Sequence, residues 1–234
     1  MEPILFPIRI NRYLALKGFA TRRGVDELIK KRYVTVNGRM ALLGDIVQHD
    51  DIVEVKKNTR EKKQLAYIAY YKPLGIVTHS PEEPQKNNNR VDKGLFPVGR
   101  LDKESSGLLI LTNDGRITDR LLNPIHRHEK EYIVTIDKKV TPHTLRLLEQ
   151  GVDIEGYHTK PSATQFVSDH KFRITLYEGK KHQIRRMLAA LGMQVRSLKR
   201  VRIMNIELEK MKEGDMRILD GDELKKFLSA LGLG

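Results

Sequence analysis

The chain has 234 residues, enough for one large or two modest domains. It contains no cysteine, which excludes disulfides and thiolate metal sites, and no apolar run near the roughly 20 residues a membrane helix needs. Lys and Arg outnumber Asp and Glu by 43 to 30, and the formal charge of +13 favours a polyanionic partner such as nucleic acid.

The first residues, Met1 to Pro7, show no basic stretch ahead of a long apolar core. No secretory signal is therefore expected, and a cytoplasmic setting is. Residues 1–63 hold 14 Lys and Arg against 8 Asp and Glu, a net +6, so charge is densest at the front. Ile10, Tyr13 and Leu14 share one helical face. Thr21 is a suitable N-cap for a second helix carrying Val25, Leu28 and Ile29 at i, i+3, i+4. Arg22, Arg23, Lys30, Lys31 and Arg32 decorate that helix. Val34-Thr35-Val36 then runs into Asn37-Gly38, a strong hairpin signal, and Asp51 to Val55 reads as a further strand. Two short helices and a small sheet make a compact basic module. The polar stretch 56–64 leads out of it as a linker.

A second domain opens with the β-forming run Leu65 to Tyr71, stopped by Lys72-Pro73-Leu74-Gly75, which would display Lys72 at a strand end. Residues 79–94, rich in Pro, Asn and charge, read as a mobile surface loop. Gly99-Arg100-Leu101-Asp102-Lys103-Glu104-Ser105-Ser106-Gly107 then brings a carboxylate on a loop into the buried strand Leu108 to Thr112. A lone aspartate in such a loop ordinarily serves the turn. Asn113-Asp114-Gly115 turns into a short helix through Ile117, Leu121 and Leu122. His126 and His128 lack a surrounding ligand set, so no metal is expected. Tyr132 to Ile136 is a strand. Thr141-Pro142 starts a helix that ends near Gly151. Phe172 to Tyr177 alternates as a half-buried strand and passes through Glu178 to His182 into a helix with Ile184, Met187, Leu188 and Leu191 on its apolar face. Gly192 ends this helix, and Arg185 sits at the edge of that face. Val201 to Ile206 and Met216 to Leu219 read as strands. Asp220 and Glu223 have capping-box spacing for a last helix.

The front module, through Arg9 to Leu14, Thr21-Arg22-Arg23 and Tyr33 to Gly38, resembles the small RNA-binding domain first seen in ribosomal small-subunit protein four. In the second domain, Lys72-Pro73-Leu74-Gly75, Gly99-Arg100-Leu101-Asp102, Glu129-Lys130-Glu131-Tyr132 and His182-Gln183-Ile184-Arg185-Arg186 follow the order and spacing of the pseudouridine synthases. The match is to the branch that modifies ribosomal RNA and carries such a basic module. Arg202-Ile203-Met204-Asn205 further resembles members acting on large-subunit RNA.

The resemblance implies an isomerase that detaches uracil from ribose, turns it and rejoins it through carbon five. Asp102 matches the catalytic aspartate, Tyr132 the pocket tyrosine and Arg185 the basic partner of the aspartate. Arg22, Arg23, Lys30, Arg39, Lys72, Arg100 and Arg186 are the candidate RNA contacts. The implied fold is α+β: a mixed, mostly antiparallel sheet with flanking helices, plus the small S4-like domain. The boundaries expected are 1–60 for the RNA-binding domain, 61–66 for the linker and 67–234 for the catalytic domain. No cofactor, no metal and no membrane are expected. The partner is ribosomal RNA or a pre-ribosomal particle, and the chain is expected to be a monomer. Two other readings compete. One is an RNA-binding protein without catalysis; the other is a hydrolase on Asp102 and His182, for which no activated nucleophile is identifiable. Within the synthase reading, small-subunit RNA or transfer RNA is an alternative target.

Overall fold

The computed structural model describes residues 4–56, 65–78 and 94–234. The middle of the expected linker and the loop at 79–93 lie outside the described residues. The chain divides into two compact units, residues 1–65 with 113–117, and residues 66–112 with 118–234.

The first unit begins with β1 (Ile8–Arg9), followed by α1 (Ile10–Leu16) and α2 (Arg22–Lys30). Strands β2 (Val34–Val36), β3 (Arg39–Met40), β4 (Ile46–Val47) and β5 (Val53–Val55) complete it. Thr21 caps α2 by accepting the Gly24 amide at 3.1 Å. Ile10 and Leu14 of α1, Val25 and Ile29 of α2, and Val34 and Val36 of β2 close over one core. Asn37-Gly38 forms the β2–β3 turn with φ of 50° and 78°, a left-handed pair that asparagine and glycine adopt cheaply.

The second unit is built on a nine-stranded sheet. Its strands are β6 (Tyr67–Lys72), β7 (Phe96–Val98), β8 (Ser106–Thr112), β9 (Lys130–Ile136), β12 (Ala163–Ser168), β13 (Lys171–Leu176), β14 (Val195–Ile203), β15 (Ile206–Glu207) and β16 (Met216–Ile218). The hairpin β10 (Asp153–Ile154) and β11 (Tyr157–His158) stands apart from it. The order is β12-β13-β9-β14-β8-β6-β16, with β7 beside β8 and β15 beside β14. Every pairing is antiparallel except β14 with β8. The helices are α3 (Arg116–Leu122), α4 (Pro142–Gln150), α5 (Gln183–Ala190) and α6 (Gly221–Ala230). One face of β9, β13 and β14, through Val134, Ile136, Phe172, Ile174 and Leu198, packs on Leu148 of α4 and on Ile184, Met187 and Leu188 of α5. No helix among the described residues is long and apolar enough to cross a membrane.

Three local expectations are corrected. The strand read at 201–206 is the end of the longer β14, a tight turn with Met204 at φ 53°, and then β15. Glu223 does not reach back to cap α6. It holds the Arg217 guanidinium through both carboxylate oxygens, a stronger charge-assisted use of the same side chain. Lys72 is not displayed. It is 1% exposed, and its ammonium donates to the carbonyls of Pro73 at 2.8 Å and Ile76 at 2.6 Å, closing the turn that proline and glycine make.

Candidate active site

Asp102 stands on the loop entering β8, and hydrogen bonds from Thr78, Gly75, Ser105 and Arg185 fix that loop. The Thr78 hydroxyl donates to the Leu101 carbonyl at 2.7 Å and accepts the Leu101 amide at 3.2 Å. Gly75 donates its amide to the Lys103 carbonyl at 2.8 Å, and Ser105 donates its amide to the Asp102 carbonyl at 3.0 Å. From the start of α5, the Arg185 guanidinium donates to the Glu104 carbonyl at 2.6 Å. Beneath the loop lies buried Lys72, lowered in pKa by burial and held up in part by the charges of Asp102 and Glu104.

Gly107 explains why the motif needs its second glycine. Its φ is +113°, and a Cβ there would lie 2.2 Å from the Arg200 carbonyl oxygen. The two parallel strands, paired at Ser106–Lys199 and Gly107–Arg200, pass too close for any side chain.

The group facing the Asp102 carboxylate is His182, with Nε2 3.5 Å from Oδ1. Both side chains keep partial access to solvent, 41% for His182 and 33% for Asp102. His182 precedes α5 in a left-handed conformation, φ 53° and ψ 27°. A buried network shapes that turn. Glu178, 2% exposed, accepts hydrogen bonds from the Tyr157 hydroxyl at 2.5 Å, the Lys160 amide at 3.0 Å and the Gln183 side chain at 2.7 Å. Gln183 in turn accepts the Lys180 amide at 2.9 Å. The carboxylate makes the Tyr157 hydroxyl harder to ionise.

Arg185, expected as the counter-charge to Asp102, holds the loop backbone instead. Its Nε, and the buried Ser105 hydroxyl in the same loop, have no hydrogen-bond partner among the described residues. Tyr132 is half-buried on β9, on the face that packs against α5. Its register partners are Ile174 on β13 and Arg200 on β14. Arg200 pairs onward with Gly107, so Tyr132 stands two strands from the start of β8, where the Asp102 loop ends.

The candidate RNA contacts separate by environment. Arg22 and Arg100 are exposed, and the Arg23 side chain lies outside the described residues. Lys30 pairs with Glu27 and Arg39 with Asp45, each at 2.8 Å and at the surface. Arg186 donates to the Ile154 carbonyl at 3.2 Å and to the Glu155 carboxylate at 2.8 Å. The sequence pattern gave no sign of Thr78, Gly75 or Glu178 as supports of the site, because each acts across a long stretch of chain.

A family model described as RNA pseudouridylate synthase matches residues 66–190, and an S4 domain model matches residues 8–53. The chain is 41% identical over 225 residues to "Dual-specificity RNA pseudouridine synthase RluF" of Escherichia coli K12, covering 93% of this chain and 77% of that one. It is 32% identical to "Ribosomal large subunit pseudouridine synthase B" of Bacillus subtilis, over 94% of this chain and 95% of that one. A crystal structure of a pseudouridylate synthase superposes with a TM-score of 0.69 at 28% identity, covering 96% and 99% of the two chains.

Proposed function

The chain belongs to the RNA pseudouridylate synthase family and carries an S4 domain, and on that premise we propose that it isomerises a uridine of ribosomal RNA, most specifically of the large subunit, with Asp102 acting on the sugar. The observation that carries this reading is the convergence of His182 and Arg185 on the Asp102 loop from 80 residues away. The name of the B. subtilis relative and the Arg202 to Asn205 motif support the large-subunit target.

The chemistry is a balanced isomerisation. The bond from N1 of uracil to the anomeric carbon breaks with its electron pair on uracil. A bond from carbon five to the same sugar carbon forms, carbon five loses a proton, and N1 gains one. No oxidant or reductant enters. A carboxylate suits the sugar that becomes electron-poor, as nucleophile at the anomeric carbon or as base at the 2′ carbon. The His182 ring, with Nε2 3.5 Å from the Asp102 carboxylate, is placed to orient it. Arg185 orders the loop that carries it. Tyr132 supplies an aromatic face for an extruded base and a hydroxyl for the proton of carbon five. Arg22, Arg23, Lys30, Arg39 and Arg100 grip phosphates and position the RNA without selecting its sequence. The enzyme works as a monomer in the cytoplasm, on ribosomal RNA or a pre-ribosomal particle.

The test is pseudouridine mapping after incubation with large-subunit, small-subunit and transfer RNA. Wild type forms the product at one or a few uridines of large-subunit RNA, and Asp102→Asn binds the same RNA but forms none. Near-normal turnover by Asp102→Asn removes Asp102 from its role. Product confined to small-subunit or transfer RNA overturns the target.

A further inference from the structure

Two cations are buried on the Tyr132 face of the sheet, and the chemistry above leaves both unused. Lys130 is 8% exposed and Arg200 4%. Lys130 precedes Tyr132 by two residues on β9, so their side chains leave the same face. Arg200 is the direct cross-strand partner of Tyr132, which puts the two Cβ atoms about 5 Å apart. The Arg200 Nε donates to the Leu108 carbonyl at 2.7 Å, and its Nη2, fully buried, has no partner among the described residues. The Lys130 ammonium donates only a long bond, 3.2 Å, to the His128 carbonyl.

Among the described residues, no compensating anion pairs with Lys130 on this face. Arg200 faces it from β14, and the His128 ring, which lies against the Arg120 backbone of α3, faces it from the segment just before β9. The neighbouring carboxylates Glu129 and Glu131 are claimed by Arg202 and Arg173. Burying a cation is costly, and burying two beside each other more so, unless something negative arrives.

We infer that Lys130 and Arg200 form a positively charged floor beneath Tyr132 that stabilises the negative charge developing on uracil as its bond to the sugar breaks. The inference rests on the reading of Tyr132 given above. A fixed positive field from two buried cations favours the charge-separated state over bound uridine, which raises kcat without tightening ground-state binding. Lys130 is a positioning residue of the electrostatic kind and touches no reacting atom. Burial and the Arg200 guanidinium lower the Lys130 ammonium to about 8. Its charge is therefore present below that pH and lost above it, which gives the floor a signature.

The experiment is single-turnover pseudouridine formation at saturating enzyme, from pH 6 to pH 10, for wild type, Lys130→Arg and Lys130→Met, with RNA affinity measured alongside. Wild type should slow as pH passes about 8. Lys130→Arg, which stays charged, should lose that fall. Lys130→Met should be slower by about tenfold below it and approach wild type above it, with RNA affinity unchanged. If Lys130→Met fails to fold, Lys130→Arg decides alone: the same fall near pH 8 as wild type overturns the inference. Lys130→Met running with wild type at neutral pH also overturns it. A wild type that forms no pseudouridine at any pH removes the underlying reading, and the floor with it.

Discussion

Gly107 is the residue on which the sheet closes. Its missing side chain lets β8 approach β14 in the parallel pairing that sets the loop of Asp102 beside the start of α5. Gly107→Ala would place a methyl group inside the Arg200 carbonyl and force φ +113° on a residue that resists it. The substitution should cost about 3 kcal/mol or more, through overpacking and backbone strain together. Urea unfolding checks this, and a midpoint equal to wild type would show that the strands part freely. The need for glycine at 107 was legible only as a motif letter. Its cause, a backbone 93 residues further on, leaves no mark in the local pattern. Asp102 was singled out through the family resemblance and not by its local pattern, since a lone aspartate in a glycine-flanked loop ordinarily serves the turn. His182 was recognised as a histidine on the right turn but assigned to a hydrolase reading. Its neighbour is set by the left-handed bend before α5, which no periodicity announces.

At the scale of elements, the turn from β13 into α5 is held by Glu178 more than by its own backbone. One buried carboxylate gathers Tyr157, the Lys160 amide and Gln183, and so joins the β10–β11 hairpin to the start of α5. Glu178→Gln replaces one acceptor oxygen with a donor that faces donors. The mismatch should cost about 2 kcal/mol of stability. Because the same turn carries His182 and Arg185, kcat should fall more than KM rises. A variant with wild-type kcat and an intact melting point would show that the turn holds itself. The helices and inner strands were readable because apolar residues recur at 3.6 or 2.0 positions. Strand β12 was not, since nearly every residue from Ala163 to Ser168 is exposed, and a sheet edge that is wet on both faces carries no alternation. The β10–β11 hairpin was missed for a related reason. Two residues per strand are too few to show a period, and Glu155-Gly156 was its only sign.

For the whole molecule, charge divides the work. The first unit holds close to half of the net positive charge in under a third of the sequence. Its exposed arginines include Arg9, Arg12, Arg22, Arg32 and Arg39, and its apolar core is its own. Counterion release then predicts a steep salt dependence of RNA binding, to which each phosphate contact contributes about one unit of slope. Arg22→Gln should lower that slope by about one while leaving single-turnover chemistry at saturation untouched. Filter-binding titrations across a salt series read the slope directly, and an unchanged value would take Arg22 off the RNA. The denser charge at the front was visible in composition alone, whereas the chemistry of the second domain was read from motifs through the family resemblance. The extent of the sheet was not, because its order interleaves strands from both ends of the second unit.

The loop of Asp102 is tied by Thr78, Gly75 and Arg185 in the free protein. A loop fixed in advance has little left to give when a ligand arrives, so the work of fitting falls to the RNA. Each uridine is then judged by what it costs to leave its stack, and that cost is lowest in bulges, loops and poorly paired junctions. Target choice becomes a property of RNA mechanics as much as of protein contacts. On the proposed function, a uridine locked in a strong helix should react more slowly than the same letters in a loop.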